Sequence, residues 1–192
     1  MKFKTYCISL KSDERRRVWM KSIKDRIGLE FEFFNAVEPK DITLELERKH
    51  FVDSYLSEWD FSQKATMATF LSHLSLIKLS ADYKSNILII EDDIDIVSSF
   101  DWKNVNFEEF DLYNLGVEGS CYSYFVSYQG ASKLFNYFNG RKIKYPYDYE
   151  LSIVNGKKIR IKSSETNVFT QLNTFKSNIA PNGYVLKKNK LV

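Results

Sequence analysis

The stretch Asn86-Ile-Leu-Ile-Ile-Glu-Asp-Asp-Ile-Asp-Ile96 decides how the rest of the chain is read. A short β-branched run, Ile87 to Ile90, carries no polar alternation and passes straight into Glu91, Asp92 and Asp93, with Asp95 following. Such a run suits a strand buried on both faces, as in a mostly parallel α/β sheet. These sheets bind ligands beyond the carboxyl ends of their strands. Acids crowded there repel one another unless a positive charge lies between them. A divalent cation answers that need, since Mg²⁺ and Mn²⁺ favour carboxylate oxygens and share them with phosphates. A solvated acidic turn after a core strand is the competing reading. In an extended chain Glu91, Asp93 and Asp95 would share one side and Asp92 would face the other.

Working backwards, Lys4 to Leu10 reads as a first buried strand, followed by an N-cap at Ser12 or Asp13. Val18, Trp19, Ile23 and Ile27 give a helical stripe that Gly28 closes. Arg15, Arg16 and Arg17 fall in the first helical turn, where cations oppose the helix dipole unless an anion is near. Arg15 or Arg16 is therefore a candidate phosphate contact, against the alternative of exposed arginines. Phe31 to Val37 reads as a second strand that Pro39 ends. A charged insertion follows, with a weak helix over Leu44 to Phe51, and then a long helix from Ser62 to Asp82. His73 lies near the apolar stripe of that helix, where a packing role is favoured over a ligand or base.

Working forwards, Phe110 to Leu115 and Cys121 to Ser127 read as strands. Gly130 leads into a helix closed by Gly140, and Asn155-Gly156 turns into a late hairpin strand over Ile159 to Ile161. In the short aromatic patch from Lys144 to Leu151, Asp148 and Glu150 are flanked by Tyr145, Tyr147 and Tyr149. Tyrosines around a carboxylate suit a carbohydrate site, and they also suit a loop packed on a core.

The 192 residues suffice for one domain with a sizeable core, and no linker or repeat divides them. A net charge of +3, with both signs mixed along the chain, argues against nucleic acid as a partner. Aromatics at 16% could line a sugar cleft or fill the core. Cys7 and Cys121 in strand-like runs fit buried free thiols in a reducing compartment. The N-terminus does not read as a signal peptide, and no window reaches transmembrane length. The expected location is the cytoplasm, with at most peripheral contact at the inner membrane face through the tail Lys187-Lys188-Asn189-Lys190.

In order along the chain, several segments resemble glycosyltransferase family 25, which includes bacterial lipooligosaccharide galactosyltransferases and collagen galactosyltransferase domains. They are Ile8-Ser9-Leu10 with Arg15-Arg16, Phe33-Phe34-Asn35-Ala36-Val37, Leu71-Ser72-His73-Leu74 and Ile89-Ile90-Glu91-Asp92-Asp93. Tyr124 with Gly130-Ala131 and Leu134, Tyr145-Pro146-Tyr147-Asp148, and Gln171 with Ser177-Asn178-Ile179 continue the series. Before the Ser-His pair this chain has Ala65, Ala68 and Thr69 where the family usually has glycines and a cysteine. The resemblance implies a single Rossmann-like GT-A domain over 1–192, with residues 1–100 as its nucleotide-binding half and 101–192 as its acceptor and sugar half. It also implies a UDP-sugar donor (UDP-galactose first), an oligosaccharide acceptor that a lipid can carry, and Mn²⁺ or Mg²⁺. It places Ser9, Leu10, Arg15, Arg16, Asn35 and Asp92 around the donor, and Glu91 and Asp93 on the metal. Asp148 becomes the base of an inverting transfer, with Glu150 as the spare. The alternatives are a catalytically inactive carbohydrate- or partner-binding relic of the same fold, or a transferase using another nucleotide-sugar. A response-regulator receiver domain, which ILIIEDD also evokes, fails because its acids belong near the N-terminus of the fold and 90 residues precede them here.

Overall fold

The computed structural model of the chain describes residues 2–53, 63–172 and 174–175. The tail lysines and Ser177-Asn178-Ile179 lie outside the described residues, as does Ser62 at the expected start of the long helix. The central sheet has six strands: β1 (Lys4–Ser9), β2 (Glu32–Asn35), β3 (Ile87–Glu91), β5 (Leu112–Asn114), β6 (Ser123–Val126) and β7 (Ile161–Ser163). Their order across the sheet is β2-β1-β3-β6-β5-β7. Every pairing is parallel except the two that β6 makes, so β6 runs against the other five. A separate antiparallel ribbon joins β4 (Ile94–Ile96) to β8 (Phe169–Gln171), and the sequence reading did not anticipate it.

Ile87, Leu88, Ile89 and Ile90 are all fully buried, as their unbroken apolar run predicts. Ile87 and Ile89 enter the core shared by α3 (Gln63–Asp82), α4 (Tyr128–Phe138) and α5 (Tyr147–Val154). Leu88 and Ile90 enter the opposite core with α1 (Glu14–Ile27). Each such side chain contributes about 1.5–3 kcal/mol on burial. The mostly parallel α/β sheet with helices on both faces therefore follows from the strand's composition.

Local signals set the helix ends. Asp13 caps α1 by accepting from the Arg16 amide, and Gly28 closes it in the left-handed conformation at φ 70°. The weak helix is present as α2 (Leu44–His50), capped by Thr43. The buried face of α1 differs from the expected stripe: Arg16, Met20, Ile23 and Ile27 point inward, and Val18 is exposed. Trp19 is only partly covered, its indole N–H donating to Ile94 O at 2.9 Å.

Three further expectations need correction. Glu91 ends β3, and Asp92 and Asp93 form the turn before β4, so the side-alternation of an extended chain does not hold. β7 pairs in parallel with β5, because α5 and its following turn carry the chain across, and so it is not a hairpin strand. The patch around Tyr147 is not a loop but the first turn of α5, preceded by Pro146, where a missing N–H costs nothing.

Gly130 lies inside α4 rather than before it, since Ser127 supplies the cap. A Cβ at Gly130 would sit 2.2 Å from the Asp111 carbonyl oxygen, where only backbone movement could relieve it. Gly130→Ala is expected to destabilise the protein by about 3 kcal/mol, lowering the melting temperature by roughly 6–12 °C. A thermal melt within 2 °C of wild type, as an order-of-magnitude threshold, would show that α4 can retreat from β5 at little cost.

Candidate active site

A cavity of about 650 Å³ opens beyond the carboxyl ends of β1 and β3, a size suited to a small-molecule ligand. Ser9 and Leu10 line it from β1, Arg16 from α1, and Glu91, Asp92 and Asp93 from β3 and its turn. Asp148 lines it from α5 and Gln171 from β8. Of the ten candidate site residues read from the sequence, seven line this cavity, and Arg15, Asn35 and Glu150 lie outside its lining.

Arg16 organises the acids. Its Nη1 donates to Asp92 Oδ1 at 2.8 Å and to Asp93 Oδ2 at 3.4 Å, and its Nε lies 3.4 Å from Asp13 Oδ2. Burial works against the guanidinium charge, but the Asp92 hydrogen bond and the Asp93 charge outweigh it and raise the Arg16 pKa. One cation shared so widely leaves the acids undercompensated. Burial, reinforced by Glu91, pushes Asp93 up to about 7; burial, reinforced by Asp92, pushes Glu91 up to about 8. Asp93 Oδ2 also accepts from Gln171 Nε2 at 3.1 Å, while its Oδ1 is buried and has no hydrogen-bond partner among the described residues.

That unpartnered oxygen bears on metal binding. Among the described residues no group of three or more His, Cys, Asp or Glu side chains is gathered as a metal cage. Mg²⁺ and Mn²⁺ sites that work on nucleotides often use only one or two carboxylates, with phosphates and water completing the shell. Asp93 Oδ1 with an oxygen of Asp92 fits that smaller donor set.

Glu91 turns towards α3 instead. His73 Nε2 lies 3.1 Å from Glu91 Oε1, and His73 Nδ1 lies 2.9 Å from the Tyr124 hydroxyl. The Tyr124 hydroxyl donates to Tyr147 Oη at 3.1 Å. In that arrangement His73 Nδ1–H donates to Tyr124, Nε2 accepts, and Glu91 carries the intervening proton, in keeping with its raised pKa. His73 is fully buried and stacks on Tyr147 with centroids 4.6 Å apart and planes at 10°. Burial lowers its pKa to about 3, so the ring is neutral. The histidine packs, as its apolar surroundings favoured, and also ties the end of β3 to the start of α5. Ser72, its neighbour, accepts from the Val37 amide at 2.9 Å and holds the segment after β2 against α3.

Asp148 is half-buried, one residue after Tyr147. Burial raises its pKa, opposed by the Tyr149 amide, which donates to Asp148 Oδ1 at 2.8 Å, and by its own backbone amide. Glu150 lies away from the cavity lining: it is buried, and its Oε1 accepts from the Lys144 and Tyr145 amides at 3.1 and 3.2 Å. Asn35 is held outside by Arg17, whose Nη2 donates to Asn35 Oδ1 at 2.6 Å and to Ser9 O at 3.1 Å. The Arg15 guanidinium lies 5.4 Å from the Phe175 ring centroid, also outside the lining.

Sequence reasoning placed none of Asp13, Arg17 and Gln171 in the site, although it named Asp13 as a candidate N-cap and Gln171 in a family-like segment. The legible signal was Arg16 itself, which sits at helical spacing from Met20, Ile23 and Ile27 and so belongs to the buried face. Arg16→Gln leaves buried acids without their cation and is expected to cost about 3–5 kcal/mol. Because a carboxyl with a raised folded pKa loses stability as pH rises towards that value, the deficit grows from pH 5 to pH 8. Equal deficits in melts at the two pH values would mean that Arg16 acts by packing alone.

No helix among the described residues is long and apolar enough to cross a membrane. No curated protein matches the sequence. Among solved structures, one described as a glycosyltransferase involved in the glycosylation of the major capsid of PBCV-1 resembles the fold. It is 11% identical, with a TM-score of 0.42, and covers 84% of this chain and 81% of that one. The model of glycosyltransferase family 25 (LPS biosynthesis protein) matches residues 2–190. With that match running through β1, the acid turn and the start of α5, the chain belongs to glycosyltransferase family 25.

Proposed function

We propose that the protein moves a hexose from a nucleotide-diphosphate sugar to a hydroxyl group of a surface glycan, specifically galactose from UDP-galactose with inversion at C1. The observation that carries this reading is the meeting, in one cavity, of Asp92, Asp93 and the half-buried Asp148. Residues 1–100 supply the donor side through Ser9, Leu10, Arg16, Asp92 and Asp93, and residues 101–192 supply the acceptor side through α5. The family description, an LPS biosynthesis protein, supports a lipopolysaccharide-type glycan as the acceptor; its carriage on lipid at the inner membrane face is part of the proposal.

Mn²⁺ or Mg²⁺, held by Asp93 and Asp92, would supply Lewis-acid stabilisation of charge on the departing diphosphate. Arg16 orients both carboxylates, and Gln171 fixes Asp93 from β8. Asp148 accepts the proton of the acceptor hydroxyl as that oxygen attacks C1. The bond from C1 to the diphosphate oxygen breaks, and its electron pair leaves with the nucleoside diphosphate. A carboxylate with a raised pKa is a better base at neutral pH than an ordinary aspartate. Glu91, linked to His73, holds the geometry between the two sides.

The relic reading draws on a different observation: Arg16 already supplies a positive charge between Asp92 and Asp93. Calorimetric titration of a panel of UDP-sugars, with and without Mn²⁺, separates the two. Mn²⁺-dependent binding of one sugar is the expected result. Binding indifferent to the metal, or no binding by a well-folded sample, would leave the relic.

A further inference from the structure

We propose that Tyr149 is the platform on which a pyranose ring of the acceptor stacks. The inference rests on the transferase reading above and adds a residue to its acceptor side. Of the large apolar side chains that are half exposed or more among the described residues, only Tyr149 lines the cavity. It is 50% exposed, although its neighbour Tyr147 is 3% exposed and fully engaged. An aromatic ring left open at a cavity wall, beside a carboxylate, is complementary to a sugar. One face of a pyranose presents C–H groups, and its rim presents hydroxyls.

The ring is held in place rather than left loose. Tyr145 packs against it with centroids 4.7 Å apart and planes at 56°. The Tyr145 backbone is in turn fixed by Glu150, which accepts from the amides of residues 144 and 145. That gives the buried Glu150 a purpose away from the chemistry: it positions the segment that buttresses Tyr149. Ser152, one turn beyond Asp148, lines the same wall, and its hydroxyl donates to Tyr149 O at 2.7 Å. Its lone pairs remain able to accept from a sugar hydroxyl. A ring on Tyr149 would bring one of its hydroxyls to the adjacent Asp148, whereas the donor's phosphates belong with Arg16 and the acid turn. The occupant is therefore the acceptor sugar, not the nucleobase.

Saturation-transfer NMR on the full chain tests this, with methyl β-D-galactopyranoside, methyl β-D-glucopyranoside and lactose as probes. The comparison runs across wild type, Tyr149→Ala and Tyr149→Phe, each with and without UDP, and UDP affinity is measured separately by calorimetry. At least one probe is expected to receive saturation at its ring-face protons, with UDP present and in Tyr149→Phe. In Tyr149→Ala its affinity should fall by about tenfold, with UDP affinity and melting temperature unchanged. The platform is overturned if no probe is saturated, if Tyr149→Ala binds as wild type does, or if that variant weakens UDP instead. Failure of the wild-type chain to bind UDP would overturn the transferase reading itself, and the platform with it.

Discussion

Asp93→Asn is expected to abolish divalent-cation-dependent binding of the nucleotide sugar and to lower transfer by about a thousandfold. The fold should survive. In wild type the Asp93 carboxylate is buried, its pKa is pushed up to about 7, and Oδ1 has no partner among the described residues. The folded state therefore gains little from this charge above neutral pH. An asparagine oxygen can still accept from Arg16 and Gln171, and the backbone bond from Leu172 N to Asp93 O is untouched. Melting temperature at pH 8 should match or exceed that of wild type, because an ionised, undercompensated carboxylate has been replaced by a neutral amide. The decisive measurement is UDP-sugar titration with and without Mn²⁺. Wild-type metal dependence in the variant would move the cation to other residues.

The second large effect is expected at Asp148. Asp148→Asn should lower kcat by about 10³-fold and leave donor affinity unchanged, since the residue receives a proton but does not hold the nucleotide. The amide oxygen can replace Oδ1 as acceptor for the Tyr149 N–H, so α5 keeps its first turn. pH dependence gives the sharper test. The base works only when deprotonated, and burial raises its pKa. The acid limb of wild-type kcat/KM should therefore lie above the usual aspartate value of about 4. The limb should vanish in Asp148→Asn. If it persists there, another group removes the proton.

The sheet was legible because its strands announce themselves. Ile87 to Ile90 could only be buried on both sides, and Asp13 and Gly28 bracket α1 with ordinary capping chemistry. The site was legible as a set of residue types more than as a geometry. Asp92 and Asp93 leave the strand together in a turn, so pleat alternation could not predict that both would meet Arg16. Read along the helix dipole, Arg16 is a candidate phosphate contact; read around the helix face it falls with Met20, Ile23 and Ile27, which is why it also meets the buried acids. Gln171 reaches Asp93 only because β8 pairs with β4, a long-range contact with no local signature. Glu150 and Asp148 look equivalent in sequence; one helical turn buries the first against backbone amides and leaves the second at the cavity.

The strand order also constrains how the chain is made. β3, the most apolar strand, has β1 on one side, and its other neighbour is β6, which is synthesised only after β5. As the chain leaves the ribosome, β1, β2 and β3 can assemble early, but the free edge of β3 must wait for β6 to close it. β5 must wait as well, because β6 lies between it and the early strands. An unpaired, isoleucine-rich edge invites association with other chains. The nascent protein is therefore most vulnerable in the interval between the acid turn and Val126, when its ligand-binding half is nearly complete but still exposes a sticky edge.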